Sequence, residues 1–267
     1  MPKVMMAFPQ GKHKVLTMSY DDGKTADIRL VEIFNKYGIK GTFHLNSGMF
    51  GSDDRISEKE AAALYRGHEV SAHTLTHPTI ARCPKEQIIE EIFEDRKRLE
   101  HVVGYTVRGM SYPNGSYNKI IKEKLPYLGV EYARTVHSTG QFAMPDDLLE
   151  WDPTCHHKAD LMNVAETFVN LNKTQYLYMM YVWGHSYEFD QDQNWPLIES
   201  FCEFVGNRRE IWYATNIEIV DYLKAFQDLK FSASCQFVYN PSALSVWLQV
   251  DNQIVEVKGG SQIAFTS

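Results

Sequence analysis

The chain has 267 residues, with 27 Lys+Arg against 34 Asp+Glu, a formal charge of −7, 44 % hydrophobic and 23 % charged residues. That composition excludes global disorder, and the excess of acid argues against DNA or RNA as the main partner. No stretch approaches the roughly 18 apolar residues of a membrane-spanning helix, so neither a nucleic-acid nor a membrane partner is expected.

The length suits one large domain with a small appendage and a core that needs no staples. At the N-terminus, Met1-Pro2-Lys3-Val4-Met5-Met6-Ala7-Phe8-Pro9 has only a short apolar part, interrupted by Pro9. A secretory leader needs an apolar region of about 7–15 residues. Cys83, Cys155, Cys202 and Cys235 are scattered and form no C-x-x-C pair, which reads as reduced thiols. A cytoplasmic location is the expectation, with a secreted form whose leader has been removed as the alternative.

In chain order, Val15 to Tyr20 is a β-rich run, followed by a helical pattern from Thr25 to Tyr37 that stops at Gly38. Gly41 to Leu45 is the next strand. Ser57 to Arg66 is a helix, with Ser57 and Glu60 at capping-box spacing, and Glu69 to Ala72 is a third strand. Lys85 to Val103 is a long amphipathic helix with Ile88, Ile89, Ile92, Phe93 and Leu99 on one side. Further strands are expected at Val107 to Tyr112, Val130 to Val136, Leu148 to Trp151, Tyr176 to Trp183 and Ile211 to Ala214. The helices between them fall at Tyr117 to Leu125, Leu161 to Leu171, Trp195 to Val205 and Ile217 to Phe226.

Such alternation implies a parallel sheet with crossover helices. The expected fold class is α/β, a deformed or incomplete (β/α) barrel of about seven units, with an open doubly wound sheet as the alternative. From Phe231 the pattern becomes β-rich. Leu244 to Val250 and Gln253 to Val257 flank a two-residue turn at Asp251-Asn252, and Gln262 to Phe265 follows. The expected division is a barrel over residues 1–228 and a β appendage over residues 229–267.

In a parallel α/β architecture, function gathers at the C-terminal ends of strands. Asp21-Asp22-Gly23 ends the first strand. Adjacent carboxylates repel and cost solvation if buried, so an exposed Asp-Gly turn is the plain reading of this pair alone. His73-Thr74-Leu75-Thr76-His77-Pro78 ends the third strand. Its two imidazoles can face one point if the segment makes a short helical turn, which Pro78 limits. Gly184-His185-Ser186 ends the apolar run Leu177 to Trp183, where a lone histidine is most often an ordinary core residue. Three strands of one barrel ending in acid or imidazole point further. Two His and one carboxylate leave open positions on a metal, and a second carboxylate beside it can act as base toward metal-bound water.

Tyr20-Asp21-Asp22-Gly23, His73-Thr74-Leu75-Thr76-His77, Ser111-Tyr112-Pro113-Asn114-Gly115 and His185 resemble, in order and spacing, the motifs of the polysaccharide deacetylase (NodB-homology, carbohydrate esterase 4) family over residues 15–190. The resemblance implies one divalent metal ion, zinc first and cobalt or nickel as alternatives, held by Asp22, His73 and His77. It implies Asp21 as general base, His185 as the acid that protonates the leaving amine, and the backbone N–H of Tyr112 as a donor to the oxyanion.

There are departures. Ser111 occupies the place where the family's third motif carries an arginine that positions the base. Arg134, a cation in the otherwise apolar run Glu131 to Val136, is a candidate replacement from a neighbouring strand, with a surface arginine as the alternative. Trp151-Asp152 stands in for the fourth motif, with Asp152 orienting His185 and Trp151 walling the pocket. Cys155-His156-His157 is either a polar loop or a second metal site.

The function expected from the resemblance is metal-dependent removal of N-acetyl groups from an amino sugar or an N-acetylated oligo- or polysaccharide. The alternatives are an O-acetyl esterase, a non-sugar amidase of the same superfamily, and a carbohydrate-binding protein with a relict site. The expected partner is a carbohydrate or small acetylated substrate. The sequence carries no sign of the oligomeric state.

Overall fold

The structure is a computed structural model that describes residues 2–265; Met1 and the last two residues of the expected appendage lie outside the described residues. After a first strand β1 (Val4–Ala7), the chain enters β2 (Lys14–Asp21), α1 (Asp27–Lys36), β3 (Gly41–Leu45), α2 (Glu58–Leu64), β4 (Glu69–Ala72) and α3 (Lys85–Val103). It continues through β5 (Gly109–Ser111), α4 (Lys119–Lys124), β6 (Tyr132–Arg134), β7 (Cys155–His156), α5 (Leu161–Asn170) and β8 (Tyr178–Gly184). Then come α6 (Tyr187–Gln191), α7 (Trp195–Val205), β9 (Ile211–Tyr213) and α8 (Asn216–Gln227). The strands β10 (Lys230–Phe231), β11 (Phe237–Tyr239), β12 (Val246–Val250), β13 (Gln253–Val257) and β14 (Gln262–Ala264) finish it.

Seven parallel strands run in the order β6-β5-β4-β3-β2-β8-β7 and curl into a half-barrel, the expected incomplete (β/α) barrel. The strand β2 is its centre. One edge pairs with β8 from Lys14 to Tyr20, while the other is shared between β9 over Lys14–Leu16 and β3 over Met18–Asp21. Every residue of β2 is buried. A strand covered on both faces and both edges is mostly apolar, and this one buries Lys14, Thr17 and Ser19 among its apolar residues and ends in Asp21.

Two local expectations are corrected. Leu148 to Trp151 is not a strand. The Asp147 side chain accepts from Leu149 N at 2.8 Å and turns Leu148–Glu150 into a 3₁₀ turn. Only Trp151 then bridges Arg134, and that single parallel bridge narrows the open side of the half-barrel. On α3, Ile89 and Phe93 are 48 % and 50 % exposed. The stripe that faces inward is Ile88, Ile92 and Leu99, and it includes the carboxylates Glu91 and Asp95.

Asp251 and Asn252 both have positive φ, as a two-residue hairpin turn between right-twisted strands requires. The hairpin β12–β13 pairs not only with itself but with β1 at the other end of the chain, Val4 opposite Val250. Its Val246, Leu248 and Val250 join Val15, Met179 and Trp151 in one apolar cluster, so this sheet packs over the end of the barrel where the strands begin. Trp151 lies wholly in that cluster, edge-on to Tyr132 and Tyr181, and is not a pocket wall.

Gly109 on β5 leaves room for the Tyr132 ring: a Cβ there would lie 2.0 Å from two ring carbons. The Tyr132 hydroxyl beyond it donates to Glu69 at 2.7 Å. Gly109→Ala is expected to destabilise the fold by about 1–3 kcal/mol through overpacking, read as a lower denaturant midpoint with an unchanged slope. An unaltered midpoint would contradict this packing.

Candidate metal centre

The ends of β2, β4 and β5 converge. One ligand atom each from Asp22, His73 and His77 lies within 4.8 Å of the other two. His77 Nε2 is 3.8 Å from Asp22 Oδ1, and His73 Nε2 is 3.9 Å from Asp21 Oδ2. Asp22 Oδ1 is buried and has no hydrogen-bond partner. A buried carboxylate oxygen without a hydrogen bond, its nearest cation the Arg55 guanidinium at 3.6 Å, is costly, and two imidazoles beside it complete a donor set suited to a divalent transition metal. The residues therefore fit the ion that the motifs imply.

The histidines do not sit on a helical turn. Thr74 and His77 take φ of 66° and 61°, and Asp22 takes 82°. For residues other than glycine this backbone is strained, and surrounding structure must impose it. The strand-facing side of α3 does so. Glu91 accepts from Thr76 N at 2.8 Å and Thr76 Oγ1 at 2.5 Å, and its carbonyl accepts from Leu75 N at 2.9 Å. Asp95 accepts from His73 N at 3.0 Å and Ser47 N at 2.7 Å. Asn46 Nδ2 donates to the carbonyls of His73 and Thr74 at 2.6 and 2.9 Å. Arg55 donates to the Asn46 side chain at 3.0 Å and to the Asp22 carbonyl, and so ties the two ligand loops together. Sequence reasoning missed Asn46, Arg55, Glu91 and Asp95. The one available signal was two acids, 91 and 95, at helical spacing on the side of α3 that carries Ile88 and Ile92.

His73 Nδ1 faces the Ser111 carbonyl at 3.0 Å and the Ser111 hydroxyl at 2.6 Å. A proton on Nδ1 given to the carbonyl leaves the Nε2 lone pair toward Asp22, the tautomer that a metal ligand needs. Burial holds the His73 pKa down at about 4, so the imidazole is neutral and free to ligate at ordinary pH.

Beside the ligands stands a buried ion pair. Arg134, 0 % exposed, reaches from β6 to Asp21 Oδ2, while Ser111 Oγ donates to Asp21 Oδ1 at 3.0 Å. The arginine expected from a neighbouring strand is thus in contact with Asp21, the residue expected to act as base. Burial alone pushes the Asp21 pKa up, but the charge of the Arg134 guanidinium outweighs it and holds the carboxyl well below the usual carboxylate range. Arg134 also lies over the face of Trp183, 4.6 Å from its ring centre.

Two expectations change here. The Tyr112 N–H donates to the Arg134 carbonyl at 3.0 Å, and the Tyr112 hydroxyl donates to Leu149 O at 2.7 Å. The sheet has claimed that N–H, so it is not free for an oxyanion. Asp152 accepts from Thr135 Oγ1 and does not orient His185. The carboxylate beside His185 is Glu188, one helical turn on, whose Oε2 is 3.0 Å from His185 N and 3.2 Å from His185 Nδ1. Burial pulls the His185 pKa down, but the Glu188 hydrogen bond and the Asp21 and Asp22 charges raise it above the ordinary histidine value.

His156 and His157 flank the same Glu188 oxygen at 3.2 and 3.4 Å, and one ligand atom from each of the three lies within 4.8 Å of the other two. His156 Nδ1 accepts from Lys158 N at 3.1 Å. That leaves the ring proton on Nε2, toward Glu188, where a metal would need a lone pair. With Lys158 Nζ 3.1 Å from Oε1, the cluster gathers three imidazoles and one ammonium around a single carboxylate, and burial keeps the His157 ring neutral, its pKa down at about 3.

A polar cavity of about 420 Å³ opens at Asp22, between Lys24, Arg55 and Asp54 on one side and Tyr187, Asp190 and Gln191 on the other. It gives a small polar ligand access to the Asp22 carboxylate.

Residues 9–133, a little under half of the chain, match the family model for polysaccharide deacetylase. The peptidoglycan-N-acetylglucosamine deacetylase PgdA of Listeria monocytogenes is 22 % identical over 120 residues, which is 44 % of this chain and 25 % of the Listeria protein. A chitin deacetylase of Pestalotiopsis sp is 24 % identical over 133 residues, 49 % of this chain and 45 % of that protein. The chain thus matches less than half the length of either relative. A crystal structure from Mycobacterium smegmatis, assigned to the polysaccharide deacetylases, superposes with a TM-score of 0.63 at 14 % identity, covering 85 % of this chain and 96 % of the other, and shows the same fold. The resemblance read from the Asp21-Asp22-Gly23 and His73 to His77 motifs is borne out: over residues 9–133 this chain matches the polysaccharide deacetylase family.

Proposed function

We propose that this protein is a metal-dependent deacetylase that removes N-acetyl groups from an amino sugar or an N-acetylated oligo- or polysaccharide. The observation that carries this reading is the bare, buried Asp22 oxygen between two imidazoles, set beside the Arg134–Asp21 ion pair. Asp22, His73 and His77 would hold one divalent ion, zinc first and cobalt or nickel as alternatives, which would supply Lewis acidity to an amide carbonyl and to a water.

The chain's own residues do the rest. Asp21 is the proton acceptor. Arg134 keeps it ionised and Ser111 fixes one of its oxygens, so it acts by being in place rather than by strong basicity. His185 is the proton donor to the departing amine, from Nε2, while Glu188 holds Nδ1. The cavity at Asp22 admits the substrate, and the hydroxyl-rich face of a sugar finds Asp54, Asp190 and Gln191 there. Trp183, stacked under Arg134, limits the room beside Asp21.

Metal content measured by mass spectrometry, after stripping and re-exposure to zinc, cobalt and nickel, is expected to give about one ion per chain. It should give none for His73→Ala/His77→Ala. No metal in the wild type would end the metal-dependent reading. An acetate-release screen on N- and O-acetylated sugars then separates amide from ester hydrolysis.

Asp21→Asn is expected to keep the ion and lose about 10²–10⁴ in turnover. Adding Arg134→Ala to that variant should cost little more, because the arginine acts through Asp21. Additive losses would give Arg134 a separate role.

The His185 proton is available below its pKa and is lost as pH rises through it. Glu188→Gln removes a contact that raises this pKa, so the alkaline fall in kcat/KM should begin at lower pH than in wild type. An unmoved alkaline limb would take Glu188 out of that role.

A further inference from the structure

A second cavity, of about 530 Å³, lies at the opposite end of the barrel, where β2, β8 and β9 begin. Its wall carries Lys12, Lys14, Lys173 and Arg209, with Glu210 as the one acid. In a chain with net charge −7, four cations around one cavity are a local reversal of sign. Glu210 offsets them only in part: its charge reaches Lys14, and its ion pair is with Arg208, at 3.7 Å. Among the described residues none of the four makes an ion pair.

Lys14 is the telling one. It is only 8 % exposed, and its ammonium finds one carbonyl, Val169 O at 2.5 Å, and no carboxylate. Lys12 likewise donates to a carbonyl, Ile211 O at 3.1 Å. Ammonium groups held against a wall without a counter-charge pay for desolvation that an anion in the cavity would offset. Between them, His13 presents a buried Nδ1 with no hydrogen-bond partner. Burial lowers the His13 pKa, so at neutral pH the ring is uncharged and can donate from that nitrogen. Tyr178 adds an aromatic surface to the same wall.

We propose that this cavity binds a small phosphorylated molecule, its phosphoryl group among Lys12, Lys14, Lys173, Arg209 and His13 and its organic part against Tyr178. A dianion matches several cations better than a monoanionic carboxylate does. The volume exceeds that of bare phosphate and suits a small ligand with an organic body. The site lies away from Asp22, and the proposal stands whether or not the deacetylase reading does.

The test is calorimetric titration of the full chain at low ionic strength with glucose 6-phosphate, inorganic phosphate, gluconate and glucose. Binding of glucose 6-phosphate is expected to exceed that of phosphate and gluconate, and glucose should not bind. The variant Lys173→Glu/Arg209→Glu changes two exposed side chains and should weaken glucose 6-phosphate by about tenfold or more. The neutral pair Lys173→Gln/Arg209→Gln should fall between, and circular dichroism checks that both variants are folded. Equal binding of glucose, equal binding of gluconate, undiminished affinity in both variants, or no binding by wild type would each overturn the proposal. Stronger binding of phosphate than of glucose 6-phosphate would leave an anion site without the organic subsite, and would overturn the ligand class.

Discussion

Arg134 and Asp21 meet inside the half-barrel with almost no access to water, and much of the surrounding structure serves that contact. Removing two such charges from solvent is expensive, and breaking a buried pair by deleting one partner costs about 3–5 kcal/mol. The pair persists because its remaining valences are used. Arg134 Nη1 donates to Thr135 O at 2.9 Å, the guanidinium stacks on Trp183, and Asp21 takes a second hydrogen bond from Ser111. The contact also links the central strand β2 to the outermost strand β6. Arg134 itself makes the bridge to Trp151 that narrows the open side of the barrel. The charge arrangement and the curvature of the sheet are thus one feature.

The ligand loops depend on that frame and on α3. Left to themselves, Thr74, His77 and Asp22 would avoid left-handed backbone. Two acids on the buried stripe of α3 claim the N–H groups of His73 and Thr76, and Arg55 and Asn46 clamp the carbonyls of Asp22, His73 and Thr74. The strain is held by Glu91, Asp95 and Asn46 from behind the loops, and by Arg55, whose Nη1 also lies 3.6 Å from Asp22 Oδ1. Rigid placement of the imidazoles follows, with the His73 tautomer set by Ser111.

Glu188 organises the other side of the site in a similar way. Its carboxylate is shared by His156, His157, His185 and Lys158. Burial opposes its ionisation, but these partners hold its pKa well below the usual carboxylate range. The negative charge in turn favours the protonated form of His185. Of the two carboxylates nearest the proposed chemistry, Asp21 is kept ionised by Arg134, brought from β6, and Glu188 by the hydrogen bonds and charges of His156 and His185. Histidine and aspartate chemistry at neutral pH follows from that arrangement more than from the intrinsic acidity of either residue type.

Periodicity and motif spacing carried far in this chain. The strand–helix alternation, the long helix Lys85–Val103, the Asp251-Asn252 hairpin and the meeting of Asp22, His73 and His77 were legible because each is encoded within a few consecutive residues or at strand ends of a regular fold. The replacement of the third-motif arginine was legible in part, since a lone cation in an apolar run asks for a partner. What stayed hidden depends on which distant segments are neighbours. Asp152 follows Trp151 in the expected place, yet the fold gives it to Thr135, and the partner of His185 is Glu188, a local neighbour one helical turn on. The Tyr112 N–H looks free in the sequence and is consumed by a ladder with β6 that only tertiary pairing creates. Glu91 and Asp95 look like solvent residues of an amphipathic helix until the rotation of α3 turns them inward, beneath the histidine loop. The sequence by itself determined which residue types could do the chemistry and the order in which the barrel presents them. The tertiary structure decided which charges face one another, because hydrogen-bond partners and ion pairs in the interior are set by distance in space and not along the chain.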